Sequence, residues 1–335
     1  MHKLISPLEV QQKRIVFACF DWGFGHLSRS IPLLLQLEKQ HNHILFVGEK
    51  SHIQLLQQYG FKGEVLEHPG SDLTFKGSGN FLREGLLNLF KGPAFIRRDL
   101  KLVRKLIASF QPDFIISDHR YGFRSNKVTS IFCTHQVQLP EETPFFVQSM
   151  HRNWVNQFSG VWIFDNEQER ITGELSRGNE KSIYIGHYSR FQLPSNAISH
   201  TTGKIVAIIS GPEPYNTQLL ALITELSIRF STKITIVCPE LMVTVNNSTI
   251  DYIHDWLEAD SAILAAEWVI SRNGYSTLMD VKQLQKKALL LATPGQLEQI
   301  YFAEVNDLLQ QGVHQVVDET AFEKQWELLF NRHAS

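Results

Sequence analysis

The sequence predicts an α/β fold made of two domains, each a parallel sheet with helices between its strands. Three observations carry that expectation. Short apolar runs recur along the chain and are near-continuous, as strands buried on both faces require. Many of them end in a turn with Gly, and the turn leads into a stretch of helical periodicity. The pattern occurs on both sides of QLPSNAISHTTG (residues 192–203), which is polar, contains Pro and Gly, and has no periodicity. The expected division is a first domain over 1–191, a linker over 192–203 and a second domain over 204–335.

Composition narrows the class. The 335 residues, 43% hydrophobic, are enough for one large core or two medium ones. A net charge of −2 gives no argument for nucleic acid as a partner. Cys19, Cys133 and Cys238 sit in apolar runs without CxxC spacing, which reads as buried thiols rather than a metal site or a disulfide. The first residues lack an apolar signal core, and no run has the length of a membrane span. A cytoplasmic protein is expected, soluble or attached to a membrane surface.

In the first half, Lys13 to Phe20 is an apolar strand ending at Asp21-Trp22-Gly23-Phe24-Gly25-His26, and Leu27 to Gln40 has helical periodicity. Strands are also expected at 43–49, 64–67, 113–117, 128–133, 161–164 and 182–185. The segment 79–106 interleaves Phe and Leu with Arg83, Lys91, Arg97, Arg98, Lys101, Arg104 and Lys105, against Glu84 and Asp99. Such a basic amphipathic stretch suits an anionic membrane surface or a partner, or simply a helix with one solvated face.

In open α/β sheets, ligands bind beyond the carboxyl ends of the strands. That rim would carry His26, Asp118, His119, His135 and Gln136. A His with a pKa near neutrality can take a proton from an acceptor hydroxyl, typically worth about 10²–10⁴-fold in rate. His26 is the expected base. Asp118 either orients it or is itself the base.

In the second half, Lys204 to Ser210 is a strand ending at Gly211-Pro212-Glu213-Pro214-Tyr215-Asn216, with a helix from about Thr217. Strands follow at 233–238 and 248–253, then a helix over 255–266. The strand Trp268 to Ile270 stops at Ser271-Arg272-Asn273-Gly274. Ser276 and Thr277 then open a helix whose first turns carry Asp280. Ala288 to Leu291 ends at Thr293-Pro294-Gly295, and Gln296, Glu298 and Gln299 open the next helix. Val313 to Val317 is a last strand and Glu319 to Asn331 a last helix. Backbone N–H groups at helix starts attract phosphate. Carboxylate and amide side chains one turn further in can reach a ribose or a sugar hydroxyl. The plain alternative is a pair of ordinary strand-to-helix turns.

The pattern Ser-Arg-x-Gly-x-x-Thr-x-x-Asp (271–280), an apolar strand, then Pro-Gly-x-x-Glu-Gln-x-x-x-Ala (294–303) resembles the C-terminal half of glycosyltransferase family 28, the MurG-like enzymes. Gly23-Phe24-Gly25-His26 is similar to that family's first glycine loop. The resemblance implies the GT-B fold, two Rossmann-like domains facing a central cleft, with a last helix that can cross back to the first domain. It implies inverting, metal-independent transfer of a sugar, such as a UDP-N-acetylhexosamine, to a hydroxyl acceptor, lipid-linked or cell-envelope acceptors included. The partners are then a nucleotide-sugar donor as substrate, the acceptor, and an anionic membrane through 79–106; no cofactor and no metal are expected. Asp280 would hold the ribose, and Glu298 and Gln299 the donor sugar. Gly211, Arg272, Asn273, Gly274, Ser276, Thr277, Gly295 and Gln296 would complete the donor side, with Ile253 and His254 near the nucleobase. Gly23, Gly25, His119, His135 and Gln136 would lie on the acceptor side. Three other readings stay open: a PseG-like nucleotide-sugar hydrolase, a UDP-sugar 2-epimerase, and a non-catalytic nucleotide-sugar binder.

Overall fold

The computed structural model describes residues 5–21, 23–71, 73–88, 91–191, 201–238, 242, 245–305 and 312–331. The chain forms two compact units. The first comprises Met1–Leu73 and Leu87–Arg190, the second Thr74–Leu86 and Phe191–Ser335. Trp22 and residues 192–200 of the expected linker lie outside the described residues.

The first unit is built on seven parallel strands: β1 (Arg14–Cys19), β2 (His43–Gly48), β3 (Glu64–Glu67), β4 (Phe114–Asp118), β5 (Thr129–Thr134), β6 (Gly160–Ile163) and β7 (Ser182–Tyr184), in the order β3-β2-β1-β4-β5-β6-β7. β1 shows why the sheet is covered on both faces. Ile15 to Cys19 are all buried, and only Arg14 at the entry is exposed. Val16, Ala18, Leu45, Val47 and Ile115 pack against Val103, Leu106 and Phe110. Helices α1 (Phe24–Lys39), α2 (Lys50–Gln58), α3 (Phe81–Asn88), α4 (Gly92–Ser109) and α5 (Phe145–Val155) complete the order through this half of the sequence.

The basic segment is not one helix. It divides into α3 and α4 because Gly92-Pro93 starts a new helix, and Pro is favoured in a first turn, where its missing N–H costs nothing. α3 begins in the second unit. α4 buries Ile96, Asp99, Val103 and Leu106 and exposes Arg97, Lys101, Arg104 and Lys105.

The second unit holds six parallel strands: β8 (Ile205–Ile208), β9 (Ile234–Val237), β10 (Ile250–Ile253), β11 (Trp268–Arg272), β12 (Lys287–Leu291) and β13 (Val313–Val316), in the order β10-β9-β8-β11-β12-β13. The helices between them are α6 (Tyr215–Arg229), α7 (Trp256–Ala265), α8 (Tyr275–Leu284) and α9 (Leu297–Val305), and α10 (Glu319–Phe330) closes the chain. Asp255 caps α7 by accepting from Glu258 N at 2.9 Å. Phe322, Trp326 and Phe330 of α10 are part of the second unit's core, with Ala207, Ile236, Ile270 and Leu289.

Both sheets run outward in two directions from an adjacent central pair, β1/β4 in one and β8/β11 in the other. Each central pair is a topological switch point, where adjoining loops diverge and leave room for a ligand at the carboxyl edge. No described helix is long and apolar enough to cross a membrane.

Candidate active site

The first unit gathers its candidate site residues at the β1/β4 switch point. β1 delivers the chain to Gly23, whose φ of +66° starts α1. His26 sits in the first turn of α1, and Asp118 is the last residue of β4. His26 Nδ1 lies 3.0 Å from Asp118 Oδ1. Asp118 is wholly buried, while the His26 side chain keeps 17% exposure. Phe20 meets the His26 ring edge-on, with centroids 5.5 Å apart.

His119 follows in the left-handed region, φ +56°, with its Nε2 2.6 Å from Thr134 Oγ1. Its ring centroid is 5.1 Å from that of His26 and 5.9 Å from that of His135. His26, Asp118, His119 and His135 therefore form one cluster. Gln136 joins it through its backbone N–H, which donates to Thr134 Oγ1 at 2.7 Å. Gly25 is within α1.

Arg29 is the member that sequence reading missed. It lies one helical turn after His26 and is buried. Its Nε donates to Asp118 Oδ2 at 2.7 Å, its Nη2 to Asp118 Oδ1, and its Nη1 to His135 Nδ1. The available signal was spacing: i and i+3 share a helix face, and α1 buries every residue from Leu27 to Leu34.

Arg29 also sharpens what His26 can do. Arg29 Nη2 is 2.7 Å from His26 Nδ1, so two partners compete for one ring nitrogen. A protonated Nδ1 can only donate to Asp118, which leaves Nε2 with the lone pair of a base. An unprotonated Nδ1 can only accept from Arg29, which puts the proton on Nε2. Burial alone would raise the Asp118 carboxyl, but the charges of Arg29 and His26 and their hydrogen bonds hold it well below the ordinary range. Asp118 is thus a carboxylate throughout the working pH range. His119 is kept neutral by burial and by the neighbouring His26 and Arg29.

In the second unit, the loops after β8, β11 and β12 converge at the other switch point. Gly211 follows β8 with φ +103°. Gly274 is the N-cap of α8 and supplies no side-chain cap, so the helix start presents backbone alone. Ser276 and Thr277 are half-buried in its first turn, and Asp280 is buried in its second. Gly295, Gln296 and Glu298 are half-buried at the start of α9, and Gln299 is buried.

Three of the expected donor residues brace the loops. Arg272 donates from Nη1 to Ala292 O at 3.2 Å and from Nη2 to Tyr215 O at 2.9 Å. Burial lowers its pKa to about 10, so it remains a cation. Asn273 Nδ2 donates to Gln299 O at 2.8 Å, and Gln299 Oε1 accepts from Thr293 N at 2.7 Å. Among the described residues of this unit, the buried side-chain polar atoms without a hydrogen-bond partner are Arg272 Nε, Asn273 Oδ1 and Thr293 Oγ1. All three sit at the ends of β11 and β12.

Ile253 and His254 end β10, the edge strand, two strands from β8. His254 Nδ1 is 2.5 Å from Cys238 O. Among the described residues, no group of three or more His, Cys, Asp or Glu side chains converges as a metal site.

No protein-family model and no curated protein matches the chain. Solved structures do match. The spinosyn rhamnosyltransferase SpnG complexed with thymidine diphosphate aligns over 93% of this chain and 89% of its own, with TM-score 0.64 and 13% identity. A UGT of Arabidopsis thaliana complexed with quercetin aligns over 97% and 91%, with TM-score 0.62 and 13% identity. MurG of Acinetobacter baumannii aligns over 96% and 91%, with TM-score 0.56 and 12% identity. The fold of this chain is that of the GT-B glycosyltransferases, two parallel-sheet α/β domains.

Proposed function

We propose that the chain transfers a sugar from a nucleotide-sugar donor to a hydroxyl acceptor, with His26 as the general base. The observation that carries this reading is the His26–Asp118 pair at the β1/β4 switch point, a part-exposed imidazole 3.0 Å from a fully buried carboxylate. Asp118 selects the tautomer with Nδ1–H, and His26 Nε2 takes the acceptor proton. One displacement at the sugar carbon inverts its configuration. The fold supports the reading, because SpnG and MurG share it over most of their lengths.

In the second unit, Asp280 receives the ribose and Glu298 and Gln299 the sugar. The diphosphate lies at the starts of α8 and α9, near Gly211, Gly274 and Gly295, and no metal takes part. Arg272 holds the walls of that site and adds positive charge beneath it. A UDP-sugar of the N-acetylhexosamine kind and a family 28 chemistry in the cytoplasm follow from the motif resemblance. A lipid-linked or envelope-glycan acceptor fits the exposed basic face of α4.

The test is a panel of UDP- and TDP-sugars offered with alcohol, lipid-linked and aglycone acceptors, with and without EDTA, read by mass of the product. A glycosylated acceptor in both arms is expected. Free sugar without acceptor, or an isomerised donor, would establish a hydrolase or an epimerase instead. Salt-sensitive binding to anionic vesicles is expected, and binding at background at every salt concentration contradicts the membrane contact.

A further inference from the structure

Residues 74–86 come from the first half of the sequence yet pack into the second unit. Their contacts fall on two loops of the candidate donor site. At one end, Gly77 lies so close to Pro214, in the loop after β8, that a Cβ there would be 2.4 Å from Pro214 Cγ. Gly77 O accepts from Gln218 Nε2 at 3.2 Å. At the other end, Phe81 N and Leu82 N donate to Pro294 O and Gly295 O, each at 3.2 Å, in the loop after β12. Phe81 stacks on Phe75 at 4.7 Å and leans on Tyr215 at 5.7 Å. The strap therefore joins the loops that flank β11, the same two that Arg272 ties through Tyr215 O and Ala292 O.

Glu84 holds the strap in shape. Buried at 5% exposure, it accepts from the backbone N–H of Lys76, from Gly77 N at 3.3 Å and from Ser78 N at 2.7 Å. The Ser78 hydroxyl and, at 3.3 Å, the Tyr215 hydroxyl also donate to it. Burial would raise the Glu84 pKa, yet these bonds lower it to about 2, so it is ionised. Tyr215 is the first residue of α6, so the carboxylate connects the 76–78 turn to that helix start.

We infer that the strap 74–86 is a wall of the nucleotide-sugar site, and that Glu84 is a positioning residue that fixes the loops after β8 and β12 for the donor's diphosphate. The inference rests on the donor site proposed above. Glu84 acts through the strap and Tyr215 and touches no reacting atom. Its loss is felt in donor binding, and the acceptor and the chemical step do not sense it.

The experiment uses the full-length protein, with donor KM, acceptor KM, kcat and nucleoside diphosphate affinity measured beside amide exchange of 74–86, 211–216 and 293–299. Glu84→Ala is expected to raise donor KM about tenfold, equivalent to ~1.4 kcal/mol, with kcat and acceptor KM within about twofold. Exchange should quicken in the strap and in both loops. Glu84→Gln keeps an acceptor oxygen for the N–H groups and should recover most of the donor affinity. Tyr215→Phe should give a smaller loss that does not add to that of Glu84→Ala. Faster exchange with unchanged donor KM would reduce the strap to packing and overturn the inference, as would a fall in kcat alone. Should Glu84→Ala fail to fold, Tyr215→Phe decides: a raised donor KM with kcat within about twofold supports the inference, and an unchanged donor KM overturns it. A wild-type protein that neither binds nor consumes any nucleotide sugar would instead sink the donor reading itself.

Discussion

Replacing Asp118 by Asn removes a charge and almost no volume. The wild-type carboxylate is wholly buried and accepts from Arg29 Nε at 2.7 Å, Arg29 Nη2, Ser30 Oγ at 3.1 Å and, in the working tautomer, His26 Nδ1 at 3.0 Å. Arg29 has 2% exposure and cannot shed its proton. The variant therefore strands a buried cation. Removing one partner of such a pair costs about 3–5 kcal/mol. His135 and the Phe164 ring, 5.2 Å from the Arg29 guanidinium, still touch it, so the lower end, about 3 kcal/mol, is expected. Arg29→Met combined with Asp118→Asn takes the stranded charge away and should regain about 2 kcal/mol. Both variants should lose transfer: in the single variant Arg29 Nη2 is left to donate to His26 Nδ1, which puts the proton on Nε2, and in the double variant no carboxylate holds the Nδ1–H tautomer. Urea unfolding is the assay, with the transition of the first unit fitted on its own, since a two-domain chain is not one two-state system. An Asn single variant within about 1 kcal/mol of wild type, or a double variant less stable than the single, would refute the reasoning.

Two further predictions follow from the same geometry. Burial lowers the His151 pKa to about 4, with Tyr121 OH donating to its Nδ1 at 2.8 Å and its Nε2 facing Val137 O at 3.1 Å. The unfolded state binds this proton first, so stability should fall by about 3 kcal/mol between pH ~6.5 and ~4 and then level off, given ~1.4 kcal/mol per pH unit. His151→Gln should flatten that slope, and an unchanged slope in urea titrations counts against the assignment. Asp280→Ala should weaken nucleotide binding roughly tenfold, as expected for one charge-assisted hydrogen bond of ~1.5 kcal/mol. Unaltered calorimetric affinity would remove Asp280 from the site.

Much of the fold could be read from the sequence because both sheets are parallel and doubly covered. Such strands write themselves as apolar runs, and β1 occurs at Arg14–Cys19, inside the expected Lys13 to Phe20. The start of α7 was legible because Asp255 is a strong cap. α5 was not anticipated. Its buried face is carried by His151 and Val155, and Phe145 and Phe146 are exposed, so its pattern does not announce a core-facing helix. The strand ends pointed correctly to His26, Asp118, His119 and His135 as neighbours, because order along the rim follows from strand order. Arg29 stayed hidden because its partner Asp118 is 89 residues away. The strap stayed hidden for a related reason: nothing local in 74–86 tells that Phe81 and Leu82 bond to Pro294 and Gly295. Spacing reveals what shares a helix face, whereas pairings between distant segments are decided by packing.

The central claim is that His26 removes the acceptor proton while the second unit binds the donor. The most direct measurement compares His26→Ala with wild type, reading kcat for sugar transfer beside the affinity for the nucleotide sugar. The account predicts turnover lower by about 10²–10⁴-fold with donor affinity within about twofold. Turnover close to wild type in that variant, or a loss confined to donor affinity, would contradict it.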